Sequence, residues 1–264
     1  MKKNNQYVIN GKVYDGKVTG YFFEDQFYEM KQHGFLRNSV FTVLEKSDEA
    51  CILFFKSNDE TKKIYPFDFE IVLAYQLTPT GVIVNYDVKN TGKINLPFNI
   101  GDHPGFKVEG NIEDYRLKLD NKDEVLLSYQ TETGLQEMVC KDGVIGLKRE
   151  MFADGQAVII EDIKANKVTL LKKDEEKLRY NIEADNLLLW SADIDHFLCL
   201  EPWYGEPELF NQMEENLELG KIKQLAPGEK FSYARRLSFF NNDFLDRLKS
   251  IRQILSKSEK NYSK

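Results

Sequence analysis

Hydrophobic and polar residues alternate with a period of two along most of the chain. Residues 67 to 77 show the pattern clearly: Phe67, Phe69, Ile71 and Leu73 alternate against Asp68, Glu70 and Val72. Such alternation places one set of side chains on one face of a strand. Further strands are expected over 40–45, 50–55, 81–88, 115–119, 124–129, 144–148, 157–160, 168–171, 178–182, 187–190, 197–200 and 231–239. These stretches are rich in β-branched and aromatic residues. Turn chemistry separates them, as at Ser57-Asn58-Asp59, Thr78-Pro79-Thr80-Gly81, Asn90-Thr91-Gly92 and Pro227-Gly228-Glu229. Short entry strands are expected within residues 1–30, beside the aromatic cluster Tyr21-Phe22-Phe23 and Phe27-Tyr28.

Helical spacing appears only at the end. Phe244, Leu248, Ile251 and Leu255 predict an amphipathic helix from 243 to about 257, with Asn242 as N-cap. The expected organisation is a β-sandwich domain over 1–240 followed by a C-terminal helix and tail over 241–264. Many strands, short turns and no βα alternation point to an all-β, antiparallel sandwich.

Composition narrows the function. Net charge is −7, which argues against a nucleic-acid partner. Mixed charge runs such as Lys172-Lys173-Asp174-Glu175-Glu176-Lys177 suit solvated loops. Cys51, Cys140 and Cys199 are widely spaced, without a C-x-x-C pair; Cys51 and Cys199 sit inside apolar runs and are expected as buried free thiols, which suggests a reducing compartment. No apolar run is long enough to span a bilayer, and no leader pattern opens the chain, so a soluble cytoplasmic protein without a membrane partner is expected.

Two stretches break the strand pattern. In Asn99-Ile100-Gly101-Asp102-His103-Pro104-Gly105-Phe106, Pro104 pushes the His103 backbone to an extended conformation, and glycines flank it. In Leu198-Cys199-Leu200-Glu201-Pro202-Trp203-Tyr204-Gly205, a carboxylate precedes a proline at the end of an apolar strand. His103 and Glu201 are the candidate acid/base pair. His103 also has a plain reading as a turn-stabilising histidine. Glu201 is harder to explain structurally, because a carboxylate after an apolar strand must be paired or face a cleft. Gln32-His33-Gly34-Phe35-Leu36-Arg37-Asn38 is turn-like and offers His33 and Arg37 as ligand-facing groups, or as a turn-stabilising histidine and a surface ion-pair residue. His196 follows Asp195 in a polar patch and suits an exposed structural role. Trp190 and Trp203 suit the core, with Trp203 the candidate for stacking an aromatic face on a ligand.

The three histidines show no metal-ligand spacing, so neither a metal nor a cofactor is expected. Nucleotide-binding and serine-hydrolase motifs are also missing. Glu201, Glu206 and Glu208 lie close enough in sequence to keep glycoside hydrolysis as a third-ranked reading.

Five short motifs occur in order: Tyr65-Pro66-Phe67, Tyr86-Asp87-Val88-Lys89-Asn90, Leu96-Pro97-Phe98, the His103 stretch and Glu201-Pro202-Trp203-Tyr204-Gly205. Together they resemble the aldose 1-epimerase (galactose mutarotase-like) family, most closely its LacX-like branch. The resemblance implies a β-supersandwich and interconversion of the α and β anomers of an aldose, free or phosphorylated. It implies His103 as general acid toward the ring oxygen and Glu201 as general base on the C1 hydroxyl. It also implies sugar-binding roles for His33 and Arg37. Two positions depart from the family pattern. The expected sugar-binding aspartate aligns with Gln156, with Asp154 two residues earlier, and Asp102 stands where relatives more often carry a small residue.

Anomerisation needs only a proton taken from the C1 hydroxyl and one delivered to the ring oxygen. A tuned histidine–carboxylate pair supplies this, at about 10²–10⁴-fold per member. The expected function is therefore an aldose 1-epimerase with a small-molecule sugar as partner. The alternatives are a hexose-6-phosphate 1-epimerase and a non-catalytic carbohydrate-binding or sensory domain. The sugar and the oligomeric state are left open.

Overall fold

The computed structural model describes residues 6–9, 12–15, 20–31, 33–121, 124–131, 134–205 and 222–240. The helix expected over 243–257 lies outside them. So do Glu206 and Glu208.

The described chain is dominated by two antiparallel sheets. The larger has nine strands. In spatial order these are Val144–Gly146, Tyr115–Leu119, Lys167–Lys172, Glu175–Asn181, Lys230–Phe239, Gly81–Asn90, Phe69–Thr78, Ala50–Lys56 and Thr42–Lys46. The second has seven. Ile100–Gly101 pairs Phe197–Tyr204, followed by Asn186–Trp190, Ala157–Ile160, Val125–Thr131 and Gly134–Cys140. Gly105–Lys107 joins the other half of the same edge of Phe197–Tyr204. Two-residue and short loops join the long hairpins, as expected from the turn residues. Leu96–Phe98 with Lys223–Leu225, Gly20–Phe23 with Gln26–Glu29, and Gln6–Ile9 with Lys12–Asp15 make small ladders.

The sheets pack through the inward parity of their strands. Leu117, Val168 and Leu178 of the larger sheet meet Leu127, Val158, Leu187, Leu198 and Leu200 of the smaller one in a single buried cluster. Each fully buried aliphatic side chain there contributes about 1.5–3 kcal/mol. A second cluster is largely aromatic. Tyr21, Phe55, Tyr65, Phe67, Phe69 and Phe98 make up its aromatic part beside aliphatic members such as Ile71 and Leu96, with Phe35 and Leu36 packed against it. The Tyr65 hydroxyl donates to the Pro97 carbonyl at 2.5 Å, tying the Tyr-Pro-Phe and Leu-Pro-Phe motifs together.

The expected strands are present, with Phe67 buried just ahead of the strand that starts at Phe69. Five strands were not expected, two of them, Ile100–Gly101 and Gly105–Lys107, lying on either side of His103 in its glycine- and proline-rich stretch. Gly134–Cys140 is too polar to stand out, and Leu96–Phe98 contains a proline. Lys223–Leu225 has only three residues. Among the described residues, no helix is long and apolar enough to cross a membrane.

Candidate active site

The two proline devices lie on neighbouring strands. Ile100 and Gly101 pair with Tyr204 and Trp203, and Gly105 to Lys107 pair with Cys199 to Phe197. Between them, residues 102–104 leave the regular ladder opposite 200–202. Pro104 has no N–H to give a ladder. What remains is one bond on each side: the Asp102 amide to the Pro202 carbonyl, and the Leu200 amide to the Pro104 carbonyl, both at 3.3 Å. The interruption projects His103 toward Glu201, with its Nε2 3.2 Å from Glu201 Oε1.

Strand parity explains why Glu201 is available. Leu198 and Leu200 point into the inter-sheet core, so Cys199 and Glu201 point the other way. That second face is also covered, and the Glu201 side chain is only 1% exposed, while His103 is 38% exposed. No hydrogen bond of good geometry reaches either Glu201 oxygen among the described residues. Burial accordingly pushes the carboxyl up to about 8, against the pull of the Trp203 indole. His103 moves the other way. Partial burial lowers it below the ordinary histidine range, opposed by a hydrogen bond to its own main chain and reinforced by the Arg37 charge.

His33 and Arg37 reach the same place from the first third of the chain. Phe35 packs against Tyr65 and Phe69 at ring-centroid distances of 5.9 and 6.0 Å, anchoring the segment in the aromatic core. Its neighbours two positions away on either side, His33 and Arg37, are exposed. His33 adopts φ 64° and Gly34 φ 67°, a left-handed pair that a histidine occupies only at a cost. This turn sets the His33 ring edge-on to His103, with centroids 5.2 Å apart. Burial, His103 and Arg37 all lower the His33 pKa.

The aromatic group against His103 is Trp190, at 5.6 Å and nearly perpendicular. Its indole N–H donates to the Gly155 carbonyl at 2.8 Å. That bond ties the turn carrying Gln156 to the site. Gln156 follows the 3₁₀ segment Arg149–Gly155, and its Oε1 is buried without a hydrogen-bond partner among the described residues. The side chain of Asp154 lies outside the described residues. Trp203 packs over Gly101, where an added Cβ would stand 2.3 Å from the indole Cδ1. It closes the strand pair next to the site. His196 sits apart, 78% exposed and paired with Asp193.

Behind His103 lies a buried ion pair that sequence reasoning missed. Arg235 Nε bonds Asp102 Oδ2 at 2.7 Å, with the arginine side chain 1% exposed. Arg235 Nη1 donates to the Glu183 carbonyl at 2.7 Å. Its guanidinium lies 4.5 Å from the Tyr233 ring, which stacks on Tyr86 at 4.5 Å. Burial, with the Asp102 charge second, raises the Tyr86 and Tyr233 hydroxyls. The pair fixes the residue immediately before His103. One signal was available: Arg235 shares inward parity with Tyr233 and Leu237. Cys199 was missed as a site residue too, although it stands two positions from Glu201 on one strand.

The aldose 1-epimerase family model matches residues 2–238. The Lactococcus lactis subsp. lactis "Protein LacX, chromosomal" is 28% identical over 219 residues, covering 76% of this chain and 73% of that protein. A galactose mutarotase related enzyme from Lactobacillus acidophilus superposes with a TM-score of 0.72 at 24% identity, covering 89% of this chain and 87% of that one. A galactose mutarotase-like protein from Lactobacillus casei gives 0.71 at 25% identity, covering 85% and 82%. With a buried carboxylate facing a histidine across a broken β-ladder, and a family match over nearly its whole length, this chain belongs to the aldose 1-epimerase family.

Proposed function

We propose that the chain is an aldose 1-epimerase that uses His103 and Glu201 to open and reclose a sugar ring. The carrying observation is the 3.2 Å approach of the His103 imidazole to a carboxylate almost wholly withdrawn from solvent. Desolvation gives that carboxylate a basicity no exposed glutamate has. Between the two titrations the pair holds one proton, resting on Glu201. Its tautomer, with His103 protonated and Glu201 ionised, has the same charge and is the working form. Glu201 then takes the C1 hydroxyl proton as the C1–O5 bond breaks, and His103 protonates O5. Rotation about C1–C2 and reversal of both transfers give the other anomer. No electrons are exchanged and no atoms are lost.

His33, Arg37 and Gln156 are proposed to hold the sugar hydroxyls, and the apolar edge of Trp190 to bound the ring. Trp203 is proposed to act by shaping the Gly101 side of the site. The Arg37 charge suits a phosphorylated aldose, which would want a bidentate cation. Gln156 in place of an aspartate favours a second reading, a binding domain without turnover. Polarimetry of fresh α-D-glucose and α-D-galactose, with NMR exchange of glucose 6-phosphate anomers, separates these. Acceleration by wild type, lost in His103→Asn and Glu201→Gln, supports the epimerase. Saturable sugar binding without acceleration selects the binding domain.

A further inference from the structure

The same strand parity that exposes Glu201 to His103 also brings in a thiol. Cys199 and Glu201 are alternate residues of Phe197–Tyr204 and share a face. His103 stands across from them. One ligand atom from each of the three lies within 4.8 Å of the other two. We propose that His103, Cys199 and Glu201 form a site for a thiophilic divalent cation of the Zn²⁺ type, and that a bound cation blocks the acid/base pair.

The donor set decides the class of ion. One sulfur, one imidazole nitrogen and one carboxylate oxygen suit Zn²⁺ or Co²⁺, whereas Mg²⁺ and Ca²⁺ want several oxygens. Both Glu201 oxygens are buried without a good hydrogen bond among the described residues, so a cation would satisfy groups the fold leaves wanting. Zn–S and Zn–N bonds of about 2.3 and 2.0 Å put neighbouring ligands roughly 3.5 Å apart. The widest separation therefore closes by about 1 Å, and His103, half-exposed, is the member free to move. Its open side gives the ion its entry and leaves a fourth position for water. Cys199 binds as thiolate and Glu201 as carboxylate, and the proton of each passes to solvent.

The binding does not depend on the epimerase reading; the inhibition does. The test is titration of chelator-treated protein with Co²⁺ alone. One equivalent should give thiolate-to-cobalt charge-transfer absorption in the near ultraviolet, displaced by Zn²⁺. Cys199→Ser should lose that band, and His103→Asn should weaken binding by about tenfold or more. A wild-type titration without the band overturns the site, and so does a band that survives in Cys199→Ser, which would place the ion on another cysteine. Zn²⁺ should also stop sugar mutarotation in wild type and inhibit Cys199→Ser at least about tenfold less, each measured against its own metal-free rate. A chelator-treated enzyme that never accelerates mutarotation would count against the proposed function, while the cobalt spectrum would still decide the metal site.

Discussion

Glu201→Gln should make the protein more stable in alkali while abolishing its chemistry. In the folded chain the Glu201 carboxyl keeps its proton until about 8, and in the unfolded chain only until about 4.5. Between those values the unfolded state releases a proton that the folded state retains, so stability falls as pH rises. The loss is complete above 8. At about 1.36 kcal/mol per pH unit, the gap sets a ceiling of roughly 5 kcal/mol. Water entry beside the half-exposed His103 reduces this, and about 2–5 kcal/mol is the expected range. Glutamine fills nearly the same volume and never ionises. Urea unfolding of both proteins from about pH 5 to about pH 9 measures the difference directly, since titrating groups other than the coupled His103 cancel. The curves should meet near the acid end and diverge with Glu201→Gln on top. Parallel curves, or a variant less stable at the alkaline end, would refute a desolvated carboxylate.

Three further outcomes follow from the same geometry. In chelator-treated enzyme the mutarotation rate should be bell-shaped in pH, with an acid limb below the ordinary histidine value of 6.5 and an alkaline limb at about 8; a flat profile across that span would contradict a shared proton. Arg235→Met should cost about 3–5 kcal/mol by stranding the Asp102 charge, and Asp102→Asn in the same chain should restore most of it, as read by urea denaturation. Gly101→Ala should force the Trp203 indole aside, costing about 1–3 kcal/mol and shifting tryptophan fluorescence.

The strands were legible because one face of each is buried, which makes alternation in sequence a report on the core. His103 and Glu201 were legible because a proline after a polar residue is a poor fit for strand interior, and polar groups at such places need a purpose. Their approach to 3.2 Å was not legible, since it depends on pairing between residues almost a hundred positions apart. The Asp102–Arg235 pair spans 133 positions and was hidden for the same reason. Yet an arginine at an inward position of Lys230–Phe239 was itself a sign of a buried partner. Trp190 and Trp203 could not be told apart by composition. Only the fold shows that one borders His103 and the other packs on Gly101. Cys199 looked like one more apolar strand residue, and its parity with Glu201 was the clue that went unused.

We propose that His103 and Glu201 together move protons on a sugar. The most direct test is the rate at which metal-free wild type, His103→Asn and Glu201→Gln bring freshly dissolved α-anomers to equilibrium, followed by polarimetry for free aldoses and by NMR for glucose 6-phosphate. Wild type should accelerate equilibration, and each variant should be slower by about 10²-fold or more with sugar affinity retained. Variants as fast as wild type, or a folded wild type that binds sugar without accelerating its mutarotation, would contradict this proposal.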